Sequence, residues 1–447
     1  MAFVMRRAAF TALFLALFLA SCAVNGPRAL APSPSRTAVL ALPQPVPQPI
    51  TRTGPAAQVA WLWTFTPDRK QSLIGVDPTG AVVAQLDDSI FTPATQVSRS
   101  ADGTTLFLTT ATEIRAYSAL DGKMQRTYAK PIGAVASTAS SADGRWLAML
   151  TSGPDAKVQV IDLRTGVSQT LAAAHDPNAK LPGMSGQTAS VVWGTLAFAP
   201  DSLGLFALID WGGPTRLTSF TLANDKLTQI ATAVDGVDGR QFPSCAGPAV
   251  ATKVLPTNEL VVFCHYDGAV TIFELTKLTL ARNGVVKPSQ KNPFWLSPIF
   301  TPDGQLLYLH QSPGFGDEMQ VIDLASRRIL GPVPTPTRLA DPGPFSWLMP
   351  IANAGGTAST QPISPDGLTL YSASDNGLLV LRVPDLKLMR TIAAGVRFGE
   401  VWVSGDGLTL YATSDNGKRL LVMRHDGTSK AVAPTGDIGG FVASERG

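Results

Sequence analysis

The side chains able to do chemistry are few and widely spaced. There are four histidines, His175, His265, His310 and His425, and three cysteines, Cys22, Cys245 and Cys264. His265 and His310 stand at equal distances after Asn258 and Asp303, two matched turn positions, so both are expected at the end of a strand. With Asp210 at a comparable level upstream they could complete a His, His, Asp metal set. Nothing in the spacing brings the three together, and strand-end histidines commonly serve as polar rim residues, so no metal site and no cofactor is assigned. Cys245 and Cys264 flank one pair of strand-like runs. In an exported chain such a pair suits a disulfide, closing a loop of about 20 residues and stabilising by roughly 3 kcal/mol. The alternative is two buried thiols. Gly183-Met184-Ser185-Gly186 is one residue short of a nucleophile elbow. Gly314-Phe315-Gly316 lacks the third glycine of a nucleotide loop. Asp235-Gly236-Val237-Asp238-Gly239 suits a tight turn better than a calcium site. No Ser/His/Asp set stands out, and no catalytic residue is assigned.

The elements that must carry these residues repeat. Ile363-Ser364-Pro365-Asp366-Gly367-Leu368-Thr369-Leu370-Tyr371 recurs as Val403-Ser404-Gly405-Asp406-Gly407-Leu408-Thr409-Leu410-Tyr411. Each copy is followed by a second apolar run, a turn and a further short strand, the signature of a propeller blade. Asp-Gly turns at 102–103, 143–144, 303–304, 366–367 and 406–407 mark five copies, and Pro200-Asp201-Ser202 and Pro256-Thr257-Asn258 mark two degenerate ones. The seven units run 95–130, 135–173, 190–233, 246–281, 296–334, 359–394 and 398–434. Val59–Phe65, Ser72–Val76 and Ala81–Leu86 read as three strands lacking a first, and Gly439–Ser444 as a first strand lacking the rest. Joined, they close the ring and leave no open sheet edge. The expected fold is therefore all-β: a single propeller of four-stranded blades over 58–447, eight in number, with seven as the alternative if Val59–Leu86 is an appendage.

The repeat Pro365-Asp366-Gly367-Leu368-Thr369-Leu370-Tyr371, with Val160-Ile161-Asp162-Leu163 and Val321-Ile322-Asp323-Leu324, resembles the YVTN-type repeat of the WD40-like and quinoprotein-like propellers. The resemblance covers most of 60–445. It implies the fold and says little of function, because such propellers include enzymes, scaffolds and surface proteins. The Trp-Asp and Gly-His dipeptides of true WD40 repeats are missing.

With the strands of a blade lettered a to d from the axis outward, the a–b and c–d turns share one face and are short. The b–c loops and d–a connections share the other. Length variation gathers there, in Ala172–Ser190, Ala233–Gly247, Ala281–Trp295 and Pro332–Thr360. Insertions on one end of a rigid scaffold mark a working face. Trp211, Arg216, Arg240, Phe242, His265, Tyr266, His310, Phe315 and Trp347 fall in or beside these loops, and aromatics with Arg at a rim suit a protein or glycan partner. The competing reading is a lactonase- or quinoprotein-like enzyme with a site in the axial funnel, for which Glu400, His265 and His310 are the groups to change. Its weakness is that the first strands are mostly apolar and small.

The chain has 447 residues, 45% hydrophobic and 15% charged, with a formal charge of +3. No basic patch stands out, so nucleic acid is not an expected partner. Arg6 and Arg7 precede an apolar run from Ala8 to Ala20, the pattern of a secretory signal. Leu19-Ala20-Ser21-Cys22 resembles a bacterial lipobox, which implies cleavage after residue 21 and diacylation of Cys22. Residues 22–57 are rich in proline and are expected to act as an extended tether. The expectation is a monomeric, extracytoplasmic lipoprotein, held on the outer membrane or cell surface by its lipid.

Overall fold

The structure is a computed structural model. It describes residues 54–442 except 67–69, 87–90, 92–95, 131–132, 154–155, 173–192, 211–214, 235–248, 256, 258, 265–268, 276–278, 287–294, 312–317, 335–362, 375–376, 415–416, 425–427 and 435. A 3-10 turn, Pro55–Gln58, leads into β1 (Ala60–Phe65), β2 (Gln71–Val76) and β3 (Val82–Leu86). Blade 1 is β4 (Gln96–Arg99), β5 (Thr105–Thr109), β6 (Glu113–Ser118) and β7 (Met124–Ala129). Blade 2 is β8 (Val135–Ser140), β9 (Trp146–Thr151), β10 (Lys157–Asp162) and β11 (Ser168–Ala172). Blade 3 is β12 (Trp193–Phe198), β13 (Gly204–Asp210), β14 (Thr215–Thr221) and β15 (Thr228–Val234). Blade 4 is β16 (Ala249–Val254), β17 (Glu259–Cys264), β18 (Val270–Glu274) and β19 (Thr279–Val286). Blade 5 is β20 (Trp295–Phe300), β21 (Leu306–Gln311), β22 (Glu318–Asp323) and β23 (Arg328–Pro334). Blade 6 is β24 (Thr369–Ser374), β25 (Gly377–Arg382) and β26 (Lys387–Ile392), with an isolated bridge from Ile363 to Leu370 where its inner strand belongs. Blade 7 is β27 (Phe398–Val403), β28 (Thr409–Ser414), β29 (Arg419–Arg424) and β30 (Ser429–Val432).

The eighth blade closes the ring. β31 (Asp437–Phe441) pairs antiparallel with β1, Leu62 opposite Phe441 and Phe65 opposite Asp437, in a sheet ordered β3-β2-β1-β31. The count is eight, and β1–β3 belong to a blade. Strand d of blade 4 is longer than the sequence suggests. β19 runs to Val286 because a register shift lets Val285 and Val286 continue the ladder against Thr271 and Val270, so that connection is 287–294.

The blades form because second strands are buried on both faces, while outer strands turn at most one face inward. Every residue of β9 and β28 is buried, while β26 is exposed along nearly all its length. Adjacent blades then bury each other: Trp146, Leu150 and Val158 of blade 2 pack with Phe198, Leu205 and Phe220 of blade 3. Each such side chain contributes about 1.5–3 kcal/mol on burial.

The a–b turns follow one chemistry. In blade 7 the Ser404 hydroxyl donates to Asp406 at 2.5 Å and accepts the Thr409 N–H at 2.9 Å, while Asp406 accepts the Leu408 N–H at 3.0 Å. Gly407 supplies the left-handed residue, φ +74. The same Ser/Thr-x-Asp-Gly wiring holds at Ser100, Ser141, Thr301 and Ser364.

Candidate functional site

Strand order fixes which residues share an end. An a strand runs from the d–a face to the a–b face, so the ends of b strands and the starts of c strands lie on the long-connection face. Asp210 is the last residue of β13, paired with Trp193 and Thr215. Arg216, half-buried, stands second in β14 opposite Ile209 and Val234. Cys264 ends β17 opposite Ala249, and His310 pairs with Met319 near the end of β21. Asp210, Arg216, Cys264 and His310 thus share one end of three consecutive blades. Cys22, Trp211, Arg240, Phe242, Cys245, His265, Tyr266, Phe315 and Trp347 lie outside the described residues. Among the described residues no three His, Cys, Asp or Glu side chains gather as a metal site.

The long connections are consecutive. Residues 173–192 join blades 2 and 3, 235–248 join blades 3 and 4, 287–294 join blades 4 and 5, and 335–362 lie between β23 and the bridge at Ile363. Elsewhere the same connection spans nine residues at 87–95, one more than 287–294, and five at 130–134 and 393–397.

A second locus lies on the inner strands. Glu400, third in β27, accepts the Phe441 N–H of β31 through Oε2 at 3.3 Å, and its own N–H donates to Thr413 Oγ1 at 2.8 Å. A Cβ on Gly440 would stand 3.2 Å from Glu400 Oε2, so the glycine leaves the carboxyl its room. Glu400 is half-buried. Burial pushes its carboxyl up to about 7, and the Phe441 N–H draws it only partly back. At neutral pH such a group can both give and take a proton.

Two inner-strand contacts have no counterpart in the sequence reading. Gln96 Nε2 of β4 donates to the Val135 carbonyl of β8, and its buried Oε1 has no hydrogen-bonding partner. Ser137 Oγ of β8 accepts the Leu196 N–H of β12 at 3.2 Å. Both tie neighbouring inner strands, and a lone Gln or Ser in a strand gives no sign of that.

No family model and no curated protein matches the chain. Among solved structures it is similar to the dihydro-heme d1 dehydrogenase NirN in complex with DHE, at 15% identity and a TM-score of 0.58, covering 86% of this chain and 75% of that one. It is also matched to the hydrazine synthase of Kuenenia stuttgartiensis, at 13% identity and a TM-score of 0.44, covering 76% of this chain and 95% of that one. The likeness to NirN shows a shared propeller fold.

Proposed function

We propose that the chain is a lipid-anchored, extracytoplasmic propeller of YVTN-type repeats that binds a protein or a glycan through its b–c/d–a face. The observation that carries this reading is that the three longest d–a connections, 173–192, 235–248 and 335–362, all fall between blades 2 and 6. A rigid scaffold with variable loops on one end is the usual architecture of a recognition surface. Trp211, Arg240, Phe242, His265, Tyr266, Phe315 and Trp347 supply its aromatic and polar anchors, with Arg216 and His310 near the strand ends. A Cys245–Cys264 disulfide would brace the blade 4 part of this face. The test is cross-linking and pull-down from intact cells, with wild type beside a variant carrying Trp211→Ala, Arg240→Ala, Phe315→Ala and Trp347→Ala. A partner captured by wild type and lost by the variant supports the reading; equal capture by both moves the interface off this face.

Glu400 favours a second reading, an enzyme of lactonase or quinoprotein type working at the inner strands. Its carboxyl titrates near neutrality beside the axis, as a general acid or base requires. A hydrolase screen that finds turnover in wild type and none in Glu400→Gln would put this reading first.

A further inference from the structure

The two ends of the closure blade leave the ring on the short-turn face. The Gly405 N–H, in the a–b turn of blade 7, donates to the Ala57 carbonyl at 3.0 Å. The Tyr411 hydroxyl donates to the Gln58 carbonyl at 2.6 Å, and Arg99 Nη1 donates to the Val59 carbonyl at 3.1 Å. The 3-10 turn is thereby fixed at the a–b end of the blades on either side of the closure blade. After β31, the Val442 N–H donates to the Trp61 carbonyl at 2.8 Å, at the same end. The long connections lie opposite.

This face also carries aliphatic tips. Leu203, Leu368 and Leu408 sit just past the Asp of their a–b turns and are 49%, 38% and 58% exposed. Asp366 and Asp406 fold their carboxylates onto Ser364 and Ser404 and are less exposed than the leucines beside them. Of the exposed leucines among the described residues, all but Leu388 stand at a short turn. Blades 6 and 7 are neighbours and blade 3 stands across the ring from them, so the three tips define the plane of the face.

We propose that the short-turn face rests on a lipid bilayer, with Leu203, Leu368 and Leu408 in its interfacial layer and the long-connection face turned away. The proposal rests on the lipoprotein reading of Cys22. The Pro-rich tether between Cys22 and Gly54 reaches at most on the order of 100 Å, so it confines the propeller near the membrane without orienting it. Confinement makes docking intramolecular, at an effective concentration of about millimolar, and weak aliphatic contacts at several tips then suffice to select one face.

The experiment is hydroxyl-radical labelling of the full-length protein on mixed phosphatidylethanolamine and phosphatidylglycerol vesicles, read by mass spectrometry. A soluble form that begins at residue 23 serves as reference. Oxidation of Leu203, Leu368 and Leu408 is expected to fall severalfold on vesicles, with Phe315 and Trp347 unchanged. A Leu368→Asp, Leu408→Asp variant should keep its lipid and lose the protection. If Cys22 carries the diacylglyceryl group and the leucines are oxidised as fast as in the reference, or Phe315 and Trp347 are protected instead, the orientation is overturned and the lipoprotein reading stands. If Cys22 carries no lipid, the lipoprotein reading falls, and the orientation with it.

Discussion

The guanidinium carbon of Arg99 lies 5.6 Å from the centre of the Trp402 indole, although the two residues belong to inner strands of blades 1 and 7. The closure blade separates those blades, so this contact spans the seam of the ring. Arg99 is 1% exposed, and its donors go to backbone carbonyls: Gly103 at 3.0 Å, Val59 at 3.1 Å and Ala56. The cation therefore holds the segment leading into β1 and both flanking blades at once.

Arg99→Met keeps the aliphatic stem and leaves three carbonyls without their donor. The expected loss is about 2–5 kcal/mol of unfolding free energy. Denaturant unfolding checks it, and limited proteolysis should show earlier cleavage near residue 54. Unchanged stability would mean that the seam is held by the strand ladder alone.

Glu400 makes stability depend on pH. Its folded value is raised from 4.5 to about 7, so the proton favours the folded state. The stability it contributes is fully present below the unfolded value of about 4.5 and is lost as pH rises through about 7. Glu400→Gln keeps an oxygen for the Phe441 N–H without the charge. It should match wild type in acid and exceed it by about 1–3 kcal/mol at about pH 8. Urea midpoints at the two pH values decide the point, and equal differences at both would show that Glu400 does not titrate in this range.

The a–b turns can be tested by comparing two glycines. Gly407 has φ +74, and a Cβ there would meet Pro365 Cδ of blade 6 at 3.2 Å, whereas Gly395 has φ +87 and nothing within 4 Å. Gly395→Ala should cost about 1 kcal/mol from backbone strain, and Gly407→Ala roughly 1 kcal/mol more from the crowded contact between blades. Equal costs would show that the blades yield freely at their turns.

Removing residues 437–447 takes β31 away and strips Leu62–Phe65 of β1 of their ladder partners. It also takes away the N–H that Glu400 accepts. The truncated protein should lose its single cooperative transition and bind hydrophobic dyes, as an opened ring with a bare sheet edge would.

The blade count was legible because Asp-Gly marks five a–b turns and two degenerate copies keep the spacing, and the closing strand because Gly439–Ser444 reads as a first strand lacking the rest. The serine or threonine two residues ahead of each Asp, as in Ser404 and Thr301, was equally present in the sequence. Its role was not evident, because a hydroxyl that accepts a backbone N–H five residues on is defined only once the turn is built. Glu400 could be singled out as an acid on an apolar first strand, but not its neighbour, since Phe441 belongs to the far end of the chain. Arg99 gave no signal at all: its partners are main-chain carbonyls, which every residue has. The long connections fall outside the repeat, so their side chains could be assigned a face but no geometry.

The pairing of β31 with β1 also imposes an order of events. During synthesis β1 to β3 emerge before the other strands and must wait, with the inner edge of β1 unfilled, while seven further blades are laid down. The circle is sealed only when the segment around Phe441 arrives. Until then the nascent product presents a strand edge that holdase chaperones recognise, and a ribosome that stalls early releases a protein that cannot pass for finished.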